Sequence, residues 1–556
     1  MKGSQHSVKL AFLGGVGEVG KNMMVLECGD DMIVIDAGVS FPSDNMPGID
    51  LVIPDYTYLL SNKKKIKAVF LTHGHEDHIG AIPYLMHDIN VPIYGSRLTC
   101  ALVENKLREH RNSKCKPMVV KTKSVIKAGC FSVEFIKVTH SISGAMGLII
   151  TTPAGVIFHS GDFKMDFTPI DGESMDLIRL AELSKKGVLL LMADSTNAEK
   201  PGFSMSEKRV GQTLEGLFAQ NKENRIIIAT FASNIHRIQQ ILDISEKYGR
   251  KVMFSGRSML NVCETASKIG ELRYNRENIT DINSADKYDD SKICIICTGS
   301  QGEPNSALSR MANGEFPKVE ITPNDYVIFS ASAIPGNETE IGEVINALYK
   351  RGARVIYEKL ADVHVSGHAY QEELKIIHSI LKPKFFIPCH GEFRHLKAHA
   401  DVAMDLGMNK RNIIIPDLGD RINITGNSIK KLTPVPSGIK LIDGLDISEA
   451  NDVVQRDRMQ LATEGLCVVV ITISAKTGAL TSKPDIITRG FAYSNNTNND
   501  LMEDAKNLLI NTIVECNFKT KEFNAIKAQI RKTLMNFFFK NMKRKPVIIP
   551  IILETN

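Results

Sequence analysis

The segment LTHGHEDHIGAIPYL, residues 71–85, constrains the fold of this chain more than any other stretch. It places His73, His75, Asp77 and His78 in the spacing H-x-H-x-D-H. Imidazole nitrogens and a carboxylate oxygen together suit zinc or a similar borderline divalent ion. The apolar run KAVFLT directly before the cluster predicts a buried strand, so we expect the cluster to lie in a loop at the end of that strand. A histidine-rich surface loop would lack both this strand and the amphipathic IGAIPYLMHDI that follows.

Length and composition exclude several classes of protein. The 556 residues exceed the size at which a single hydrophobic core stops growing, so we expect two or three domains. No apolar run approaches the ~18 residues that span a bilayer. The N-terminus lacks the features of a signal peptide, and the ten cysteines show no disulfide framework. We therefore expect a cytoplasmic protein without a membrane partner, and the net charge of +5 permits a polyanionic partner without establishing one.

Three glycines near the N-terminus resemble a dinucleotide-binding fingerprint. Gly15, Gly17 and Gly20 form G-x-G-x-x-G after the predicted strand VKLAFLG. That fingerprint requires a helix next, whereas MMVLECGDDMIVIDAG predicts two strands joined by a Gly-Asp-Asp turn. We therefore reject a dinucleotide site. Further strands predicted at IKAGCFSVEFIKVTH, MGLIITTPAGVIFHSGD and GVLLLMADS indicate a β-rich α/β domain that is not doubly wound.

Helices alternate with strands after Asp194, which predicts a second domain with a parallel sheet covered by helices. Ser204 and Glu207 have the spacing of a capping box that would open its first helix. Cys294 and Cys297 form C-x-x-C inside the apolar run KICIICTG, where we expect buried strand residues rather than a redox pair or a zinc site. Downstream, FFIPCHGEF and HLKAHADVAMDLG predict that the first domain resumes.

The C-terminal part begins after a change in composition. Prolines and a glycine in PVPSG predict a linker at residues 431–458. Beyond it, the strand LCVVVITIS, two helices and the strand PVIIPIIL predict a small α/β domain. The basic segment Lys540–Lys545 is expected to be a solvated face, with RNA contact as the alternative. The preceding residues 537–539, three phenylalanines, are expected in a helix core or a subunit interface.

Four further strand ends carry residues that could join a metal site: His140, Asp162, Asp194 and His390. A single histidine at a strand end is weak evidence, but strand ends converge on loops, and the recurrence of His and Asp strengthens the interpretation. There are enough His and Asp residues for two metal ions with Asp162 between them. Two metals about 3.5–4 Å apart suit in-line attack at phosphorus.

These residues resemble the metallo-β-lactamase superfamily, and the second domain resembles the insertion of its β-CASP branch of nucleic-acid hydrolases. Within that branch the chain is similar to the ribonuclease J family, through GGVGEVGKNM, DAGVSFP, LTHGHEDHIGAIPYL, ADSTN, FASNIHR, TGSQGEP, IPGNE, HVSGHA, PCHGE and PDIITRGF. The resemblance implies an αββα sandwich with an inserted parallel-sheet domain and a small C-terminal α/β domain used for oligomerisation. The predicted limits are 1–205 and 361–430 for the sandwich, 206–360 for the β-CASP domain, 431–458 for the linker and 459–556 for the C-terminal domain.

The resemblance also implies the ligand sets: His73, His75 and His140 for one zinc, Asp77, His78 and His390 for the other, and Asp162 as the bridge. Neutral imidazoles leave the charge of a dication largely uncompensated, which lowers the pKa of a bound water to about 7 and makes hydroxide available as the nucleophile. Asp77 counts among the predicted catalytic residues, and so does Asp194, whose carboxylate would orient a ligand histidine. One departure is SISGAMG after His140, where the family usually has Pro-Asp in place of Ser143 and Gly144.

The segment HVSGH is the predicted substrate-binding loop, with the residues His364, Val365, Ser366, Gly367 and His368. A small polar loop can approach a phosphate closely, and His368 is predicted to protonate the leaving 3′ oxygen. A helix N-cap at Ser366 is the simpler interpretation, and both can hold because a helix N-terminus attracts phosphate. Ser233 and Asn234 lie between a predicted strand and helix, and we assign them to a second phosphate contact. In the family such contacts hold a 5′-monophosphate.

We therefore predict a dizinc ribonuclease with 5′-to-3′ exonuclease and endonuclease activity on single-stranded RNA, in mRNA decay and rRNA maturation. Mn²⁺ or Mg²⁺ could support turnover instead. The resemblance implies a homodimer or homotetramer. It also implies an RNA helicase, the ribosome and other decay enzymes as partners.

Three alternatives stay open. A DNA-directed nuclease of the same branch is one, since no residue visibly recognises a 2′-hydroxyl. A metallo-hydrolase of small esters, thiolesters or lactams would leave the insertion unused. An RNA-binding scaffold with a dead site would lack ligands, whereas all seven are present.

Overall fold

The computed structural model describes residues 6–43, 45–110, 115–334, 336–444, 446–448, 452–475, 477, 479–491, 496–516 and 523–555. The chain divides into two compact units, one made of Met1–Ser40 and Ile53–Lys440 and the other of Phe41–Val52 and Leu441–Asn556. Among the residues described, no helix has the length and apolarity that a membrane crossing requires.

A two-sheet sandwich in the first unit carries the histidine cluster. In the described residues its first sheet has the strands, in spatial order, Ile429–Leu432, Arg421–Thr425, Ser7–Gly14, Met23–Cys28, Asp31–Ile35, Ile66–Phe70, Ile93–Gly95 and Met118–Val119. The second sheet has Phe385–Cys389, Leu190–Asp194, Gly155–His159, Met146–Thr152, Phe131–Lys137 and Val125–Ala128. Leu10, Phe70, Phe135 and Leu148 are fully buried in the core that the two sheets share. This layered α/β architecture confirms the predicted fold class.

Helices cover the other face of the second sheet. Their bounds are Leu177–Lys186, Gln371–Leu381 and Phe393–Asp405, and their apolar sides share a core with Phe158, Leu191 and Phe386. Strand Phe385–Cys389 pairs in parallel with Leu190–Asp194, so the first domain does resume there. Further helices in the described residues of the sandwich are Thr57–Ser61, Glu76–Ile79, Ile82–Asp88 and Arg97–Glu109, with short 3₁₀ turns at Lys63–Lys65 and Lys410–Asn412.

The N-terminal glycines lead into a hairpin, as predicted. Gly15, Gly17 and Gly20 have φ of +77°, +72° and +99°, which favours glycine. Strands Met23–Cys28 and Asp31–Ile35 then pair antiparallel. This pairing confirms the two strands predicted after the glycines.

The inserted segment forms a parallel sheet. Within the described part of the chain its strands, in spatial order, are Lys251–Ser255, Ile293–Cys297, Arg225–Ala229, Asp325–Phe329 and Arg354–Ile356. Its helices are Glu207–Gln220, Ile235–Lys247, Arg257–Lys268, Ala307–Asn313 and Glu338–Lys350, with 3₁₀ turns at Arg276–Asn278, Ile282–Lys287 and Asp290–Lys292. Cys294 and Cys297 are fully buried free thiols in the second of these strands, which confirms that they are strand residues.

The capping-box prediction at the first inserted helix is wrong. Helix Glu207–Gln220 is capped by Ser206, whose Oγ accepts from the N–H of Lys208. Ser204 instead donates its hydroxyl to Glu373, 2.8 Å away, and Glu207 binds Arg237. Both side chains therefore bind partners far along the chain, and the local spacing of residues does not predict these contacts.

The second unit contains a sheet with the strands Asp485–Arg489, Leu466–Ser474 and Val547–Thr555 in spatial order, packed on helices Asn496–Cys516 and Phe523–Met542. This matches the predicted C-terminal α/β unit. The predicted linker also carries regular structure, since Ile439–Asp443 pairs with Asp446–Ser448 and helix Asp452–Glu464 begins inside it. A short strand, Leu51–Pro54, lies where the chain passes between the units. The predicted domain limits stay predictions.

The three C-terminal phenylalanines have different environments. Phe538 is fully buried in the core of the second unit and Phe537 packs against it. Phe539 is 45% exposed, so it lies outside the core, and the alternative position in a subunit interface stays a prediction. The ammonium groups of Lys543 and Lys545 lie 5.5 and 4.8 Å from the centre of its ring, which is a cation–π arrangement. RNA contact by this basic segment stays a prediction.

Candidate metal centre

The ends of several strands bring the predicted ligands together. His73 follows strand Ile66–Phe70, and His140 follows Phe131–Lys137. Strands Gly155–His159, Leu190–Asp194 and Phe385–Cys389 are parallel neighbours, so their carboxyl ends meet at one edge of the second sheet. Asp162, Asp194 and His390 lie at those ends, and their carboxylate and imidazole groups come within reach of the histidine cluster.

The first group consists of His73, His75 and His140. Nδ1 of His75 lies 3.0 Å from Nε2 of His73 and 3.2 Å from Nε2 of His140. Burial lowers the pKa of His75 to about 4 and holds the pKa values of His73 and His140 well below their ordinary range, so all three rings are neutral. Three converging imidazole nitrogens form a donor set that fits zinc.

Hydrogen bonds at the opposite ring nitrogens orient these histidines. Nδ1–H of His140 donates to the carbonyl of Gly367 over 2.7 Å, which leaves Nε2 with its lone pair toward the cluster. Nδ1 of His73 lies 3.0 Å from Oγ1 of Thr72. In the second group, Nδ1–H of His78 donates to Asp36 over 2.8 Å, which places its Nε2 3.3 Å from Oδ2 of Asp162.

The second group consists of Asp77, His78 and His390, with Asp162 beside both groups. Nε2 of His390 lies 3.2 Å from Oδ2 of Asp77. Oδ2 of Asp162 lies 3.3 Å from Nε2 of His78 and 3.5 Å from Nε2 of His390. The same oxygen lies 3.7 Å from Nε2 of His73 in the first group. The arrangement fits two metal ions that share one carboxylate.

Carboxylates control the protonation of the second group. Burial disfavours the charged form of His390, but Asp162, Asp194 and Asp77 outweigh it and raise its pKa to about 10. The pKa of His78 is also raised, against burial, by Asp162 and Asp77. In the metal-free protein both rings therefore hold a proton that metal binding must displace.

Asp194 holds two of the predicted site histidines. Its Oδ2 accepts from Nδ1–H of His368 over 2.7 Å, and its Oδ1 accepts from the hydroxyl of Thr196 over 2.7 Å. The Thr196 oxygen also lies 2.7 Å from Nδ1 of His390. The carboxylate thus acts directly on His368, and it acts on His390 both through Thr196 and through its own Oδ1, which lies 3.5 Å from Nδ1 of His390.

The predicted substrate loop does not begin a helix. The next helix starts at Gln371 with Tyr370 as its N-cap, so the proposed N-cap role of Ser366 is wrong. Oγ of Ser366 instead accepts from Nδ2 of Asn197 over 2.7 Å. Val365 is buried, so its side chain does not line an open surface.

A buried arginine fixes the tautomer of His364. Arg237 is fully buried and donates to both carboxylate oxygens of Glu207, over 2.7 and 2.8 Å. Its Nη1 also donates to Nδ1 of His364 over 3.0 Å. A guanidinium can only donate, so Nδ1 of His364 carries the lone pair and Nε2 carries the hydrogen. The ring therefore presents an N–H donor on its other side.

Asn234 caps helix Ile235–Lys247, and its Oδ1 accepts from the N–H of Arg237 over 3.1 Å. This bond fixes the amide, so the NH₂ group lies on the other side. Asn234 lines a polar cleft with His140, Lys164 and His236. Ser233, directly before it, is half-buried. The cleft thus joins the inserted segment to the first ligand group.

The departure after His140 creates a contact with the inserted segment. Oγ of Ser143 donates to Glu271 over 2.7 Å. Gly144 has φ of +73°, and a Cβ there would lie 2.6 Å from Oγ of Ser96. The loop therefore requires glycine, and His140 keeps its place in the first group.

Several residues that support the site were missed from the sequence. Asn22 donates to the carbonyl of Asp77 over 2.9 Å and lies 3.0 Å from Nε2 of His78. Asn22, Asp36 and Thr196 belong to GGVGEVGKNM, DAGVSFP and ADSTN, so the family motifs offered a signal. Nothing in the sequence marks the carbonyl of Gly367 as a partner of His140.

Family models match four successive parts of the chain. The metallo-beta-lactamase superfamily matches residues 16–182, and the ribonuclease J beta-CASP domain matches 223–348. The Zn-dependent metallo-hydrolase RNA specificity domain matches 352–416, and the ribonuclease J C-terminal domain matches 453–555.

Similar proteins cover essentially the whole chain. Ribonuclease J2 of Bacillus subtilis (strain 168) is 40% identical over 556 residues, which is 100% of both chains. Ribonuclease J 1 of Streptococcus pyogenes serotype M3 is 41% identical and covers 99% of this chain and 98% of its own. Ribonuclease J of Thermus thermophilus is 38% identical, with 99% and 96% covered. A crystal structure of a protein of unknown function from Enterococcus faecalis V583 matches in fold with a TM-score of 0.55 at 18% identity, covering 75% of this chain and 100% of that one.

Proposed function

Because this chain belongs to the ribonuclease J family and is a metal-dependent ribonuclease, we propose that it cuts single-stranded RNA with two zinc ions. It acts as a 5′-to-3′ exonuclease and as an endonuclease, prefers 5′-monophosphate ends, and takes part in mRNA decay and rRNA maturation. A cytoplasmic location goes with these substrates.

The position of Asp162 carries the two-metal proposal. Its Oδ2 lies within 3.9 Å of ring nitrogens from both ligand groups, His73 and His140 on one side and His78 and His390 on the other. His73, His75 and His140 would hold one zinc, Asp77, His78 and His390 the other, and Asp162 would bridge. When bound, the metals supply Lewis acidity and lower the pKa of water.

His368 is the proposed proton donor to the leaving 3′ oxygen. Burial disfavours its charged form, but Asp194 outweighs this and raises its pKa, which favours the protonated ring. Its side chain is 21% exposed, whereas Asp194 beneath it is buried. The ring lies beside both ligand groups, 4.9 Å from the ring of His140 and 5.4 Å from that of His390. A general acid in this position can protonate the 3′ oxygen that leaves from a substrate bound at the metal site.

Fixed donors next to the first ligand group support a phosphate pocket. His364 offers Nε2–H, Asn234 offers its NH₂ group, and Ser366 is held by Asn197. Ser233 and the backbone of residues 364–368 complete the proposed contacts. Fixed N–H donors suit a terminal phosphate, whose oxygens are strong acceptors, better than a hydroxyl. We assign the 5′-monophosphate of RNA to this pocket.

The C-terminal sheet supports self-association. Ile487, Ile549, Ile551 and Leu553 lie on one face of the sheet and are each 40–50% exposed. Contiguous exposed apolar surface is typical of protein contacts. We assign this face to a homodimer, or to one contact of a homotetramer. Contacts with an RNA helicase, the ribosome and other decay enzymes remain part of the proposal.

The experiment compares matched substrates and metals. Elemental analysis of the purified protein should give two zinc ions per chain, and Mn²⁺ and Mg²⁺ are tested in turnover. Release of mononucleotides from 5′-monophosphorylated RNA should exceed release from 5′-hydroxyl RNA and from DNA of the same sequence. Circular RNA, which has no ends, measures internal cutting alone.

A His364→Ala variant separates the pocket from the chemistry. It should lose most of the preference for 5′-monophosphate and should still cut circular RNA. Equal rates on the two RNA ends by the unaltered protein would refute the pocket. Faster cutting of DNA than RNA would favour the DNA-directed alternative.

A further inference from the structure

Two buried histidines lie behind the metal centre and have no role in the function above. His378 is on helix Gln371–Leu381 and His399 is on helix Phe393–Asp405. Their Nε2 atoms are 3.2 Å apart, and both rings pack edge-on or tilted against Phe386. His399 is fully buried and His378 is 4% exposed. Phe386 belongs to the strand that delivers His390.

A hydrogen bond connects this pair to the active site. Nδ1 of His399 lies 2.9 Å from Oγ of Ser195. Ser195 stands between Asp194 and Thr196, the two residues that hold His368 and His390, and its N–H donates to the carbonyl of His390 over 3.2 Å. The three-residue turn therefore faces the metal site on one side and the buried histidines on the other.

Both histidines are neutral, so they share a hydrogen between them. Burial lowers the pKa of His378 to about 4 and that of His399 well below its ordinary range, so both rings are neutral. One hydrogen then lies between the two Nε2 atoms, so one ring donates there and the other accepts. Removing one partner leaves a buried polar atom unsatisfied, which holds the chain in one arrangement.

We propose that His399, supported by His378, is a positioning residue of the nuclease: through Ser195 it fixes the turn from Asp194 to Thr196. This turn thereby orients the ring of His368 toward the leaving oxygen and the ring of His390 toward Asp162. The inference rests on the proposed function, which makes His368 the proton donor. His399 itself touches neither substrate nor metal. Partners of this kind change activity by about 10- to 100-fold when they are lost.

Two near-isosteric variants separate the two bonds of His399. The amide of His399→Asn occupies the region of Nδ1 and keeps the bond to Ser195. The amide of His399→Gln reaches the region of Nε2, keeps the contact with His378 and loses the bond to Ser195. Ser195→Ala removes the same bond from the other side with little loss of volume.

The measurements are kcat and KM on 5′-monophosphorylated RNA, zinc content, and unfolding in urea. We expect His399→Gln and Ser195→Ala to lower kcat about 10-fold, with KM and zinc content unchanged. His399→Asn should retain at least half of the parent kcat, although its free energy of unfolding should fall as much as that of His399→Gln. The double variant Ser195→Ala with His399→Gln should lose no more kcat than either single variant, because both remove one bond.

Other outcomes overturn the inference. Equal losses of kcat in His399→Asn and His399→Gln would mean that the ring only fills space. An unaltered kcat in Ser195→Ala would exclude the turn as the link, and this variant decides the question if the His399 variants do not fold. A loss of zinc in parallel with kcat would make the effect one of ligand binding. If the unaltered protein does not cut RNA, the proposed function fails first, before any variant is compared.

Discussion

Replacing Gly367 by alanine should test how closely the substrate loop and the metal site are coupled. A Cβ at this position would lie 2.7 Å from Cε1 of His140 and 2.7 Å from Oγ of Ser141. This is about 0.8 Å closer than the ~3.5 Å at which carbon atoms pack favourably. Since φ of Gly367 is not positive, the backbone tolerates alanine and the effect is steric alone.

The collision must move either the loop or the imidazole. Movement of the loop lengthens the 2.7 Å bond between Gly367 and Nδ1 of His140, and movement of the ring displaces a predicted zinc ligand. Because misplacement by about 1 Å can cost about 100-fold in rate, we expect kcat/KM on 5′-monophosphorylated RNA to fall by about 10- to 100-fold. Zinc affinity should fall with it.

Gly216→Ala is the matched control. Gly216 lies within helix Glu207–Gln220 and a Cβ there would meet no atom within 4 Å. Alanine in a helix is favoured over glycine by about 1 kcal/mol, so this variant should be as active and at least as stable as the parent. Mononucleotide release and zinc titration are measured on both. Parent-like kcat/KM and zinc binding in Gly367→Ala would refute the steric coupling.

Three further predictions concern groups around the site. The two carboxylate oxygens of Asp36 accept from the N–H of Thr72 and from Nδ1–H of His78, and Asp36→Asn leaves only one accepting oxygen. His78 should then be misoriented, and zinc affinity, measured by competition with a chelator, should fall about 10-fold. Glu207→Ala leaves the fully buried Arg237 without its carboxylate and should lower the free energy of unfolding by about 3–5 kcal/mol in urea titration; a change below about 1 kcal/mol would contradict this. The raised pKa of His390 stabilises the metal-free protein fully below pH ~6.5, and this contribution should be lost as pH rises to about 10. The measurement is the free energy of unfolding of the chelator-treated protein across that pH window. It should fall as pH rises, and the fall should be smaller in the control variant His390→Gln.

The sequence predicted the fold and the site residues where short-range patterns carry the information. The spacing of His73, His75, Asp77 and His78 is local, and so is the position of each remaining ligand at the end of an apolar strand. Parallel strands then bring their ends to one sheet edge, which is why residues as distant as His390 come to the same place.

The failures share a different cause. Ser204 and Glu373 are 169 residues apart, so no spacing rule could tell that the serine serves this carboxylate rather than a helix cap. Ser366 likewise matches a cap in sequence, but its partner Asn197 lies 169 residues earlier. The hydrogen-bond partners of these polar side chains are set by tertiary packing, and local patterns of hydrophobicity do not predict them.

The order of the ligands along the chain has a consequence for biosynthesis. The proposed first group is complete once His140 has been made, whereas the second needs His390, with the inserted segment between them. At about 5–20 residues per second, the 250 intervening residues (390 − 140) take about 12–50 s to translate. During that interval the nascent chain holds the three histidines of the proposed first group but lacks His390, so the proposed catalytic centre is incomplete. A partly made copy on the ribosome therefore cannot degrade RNA through this site, its own messenger included.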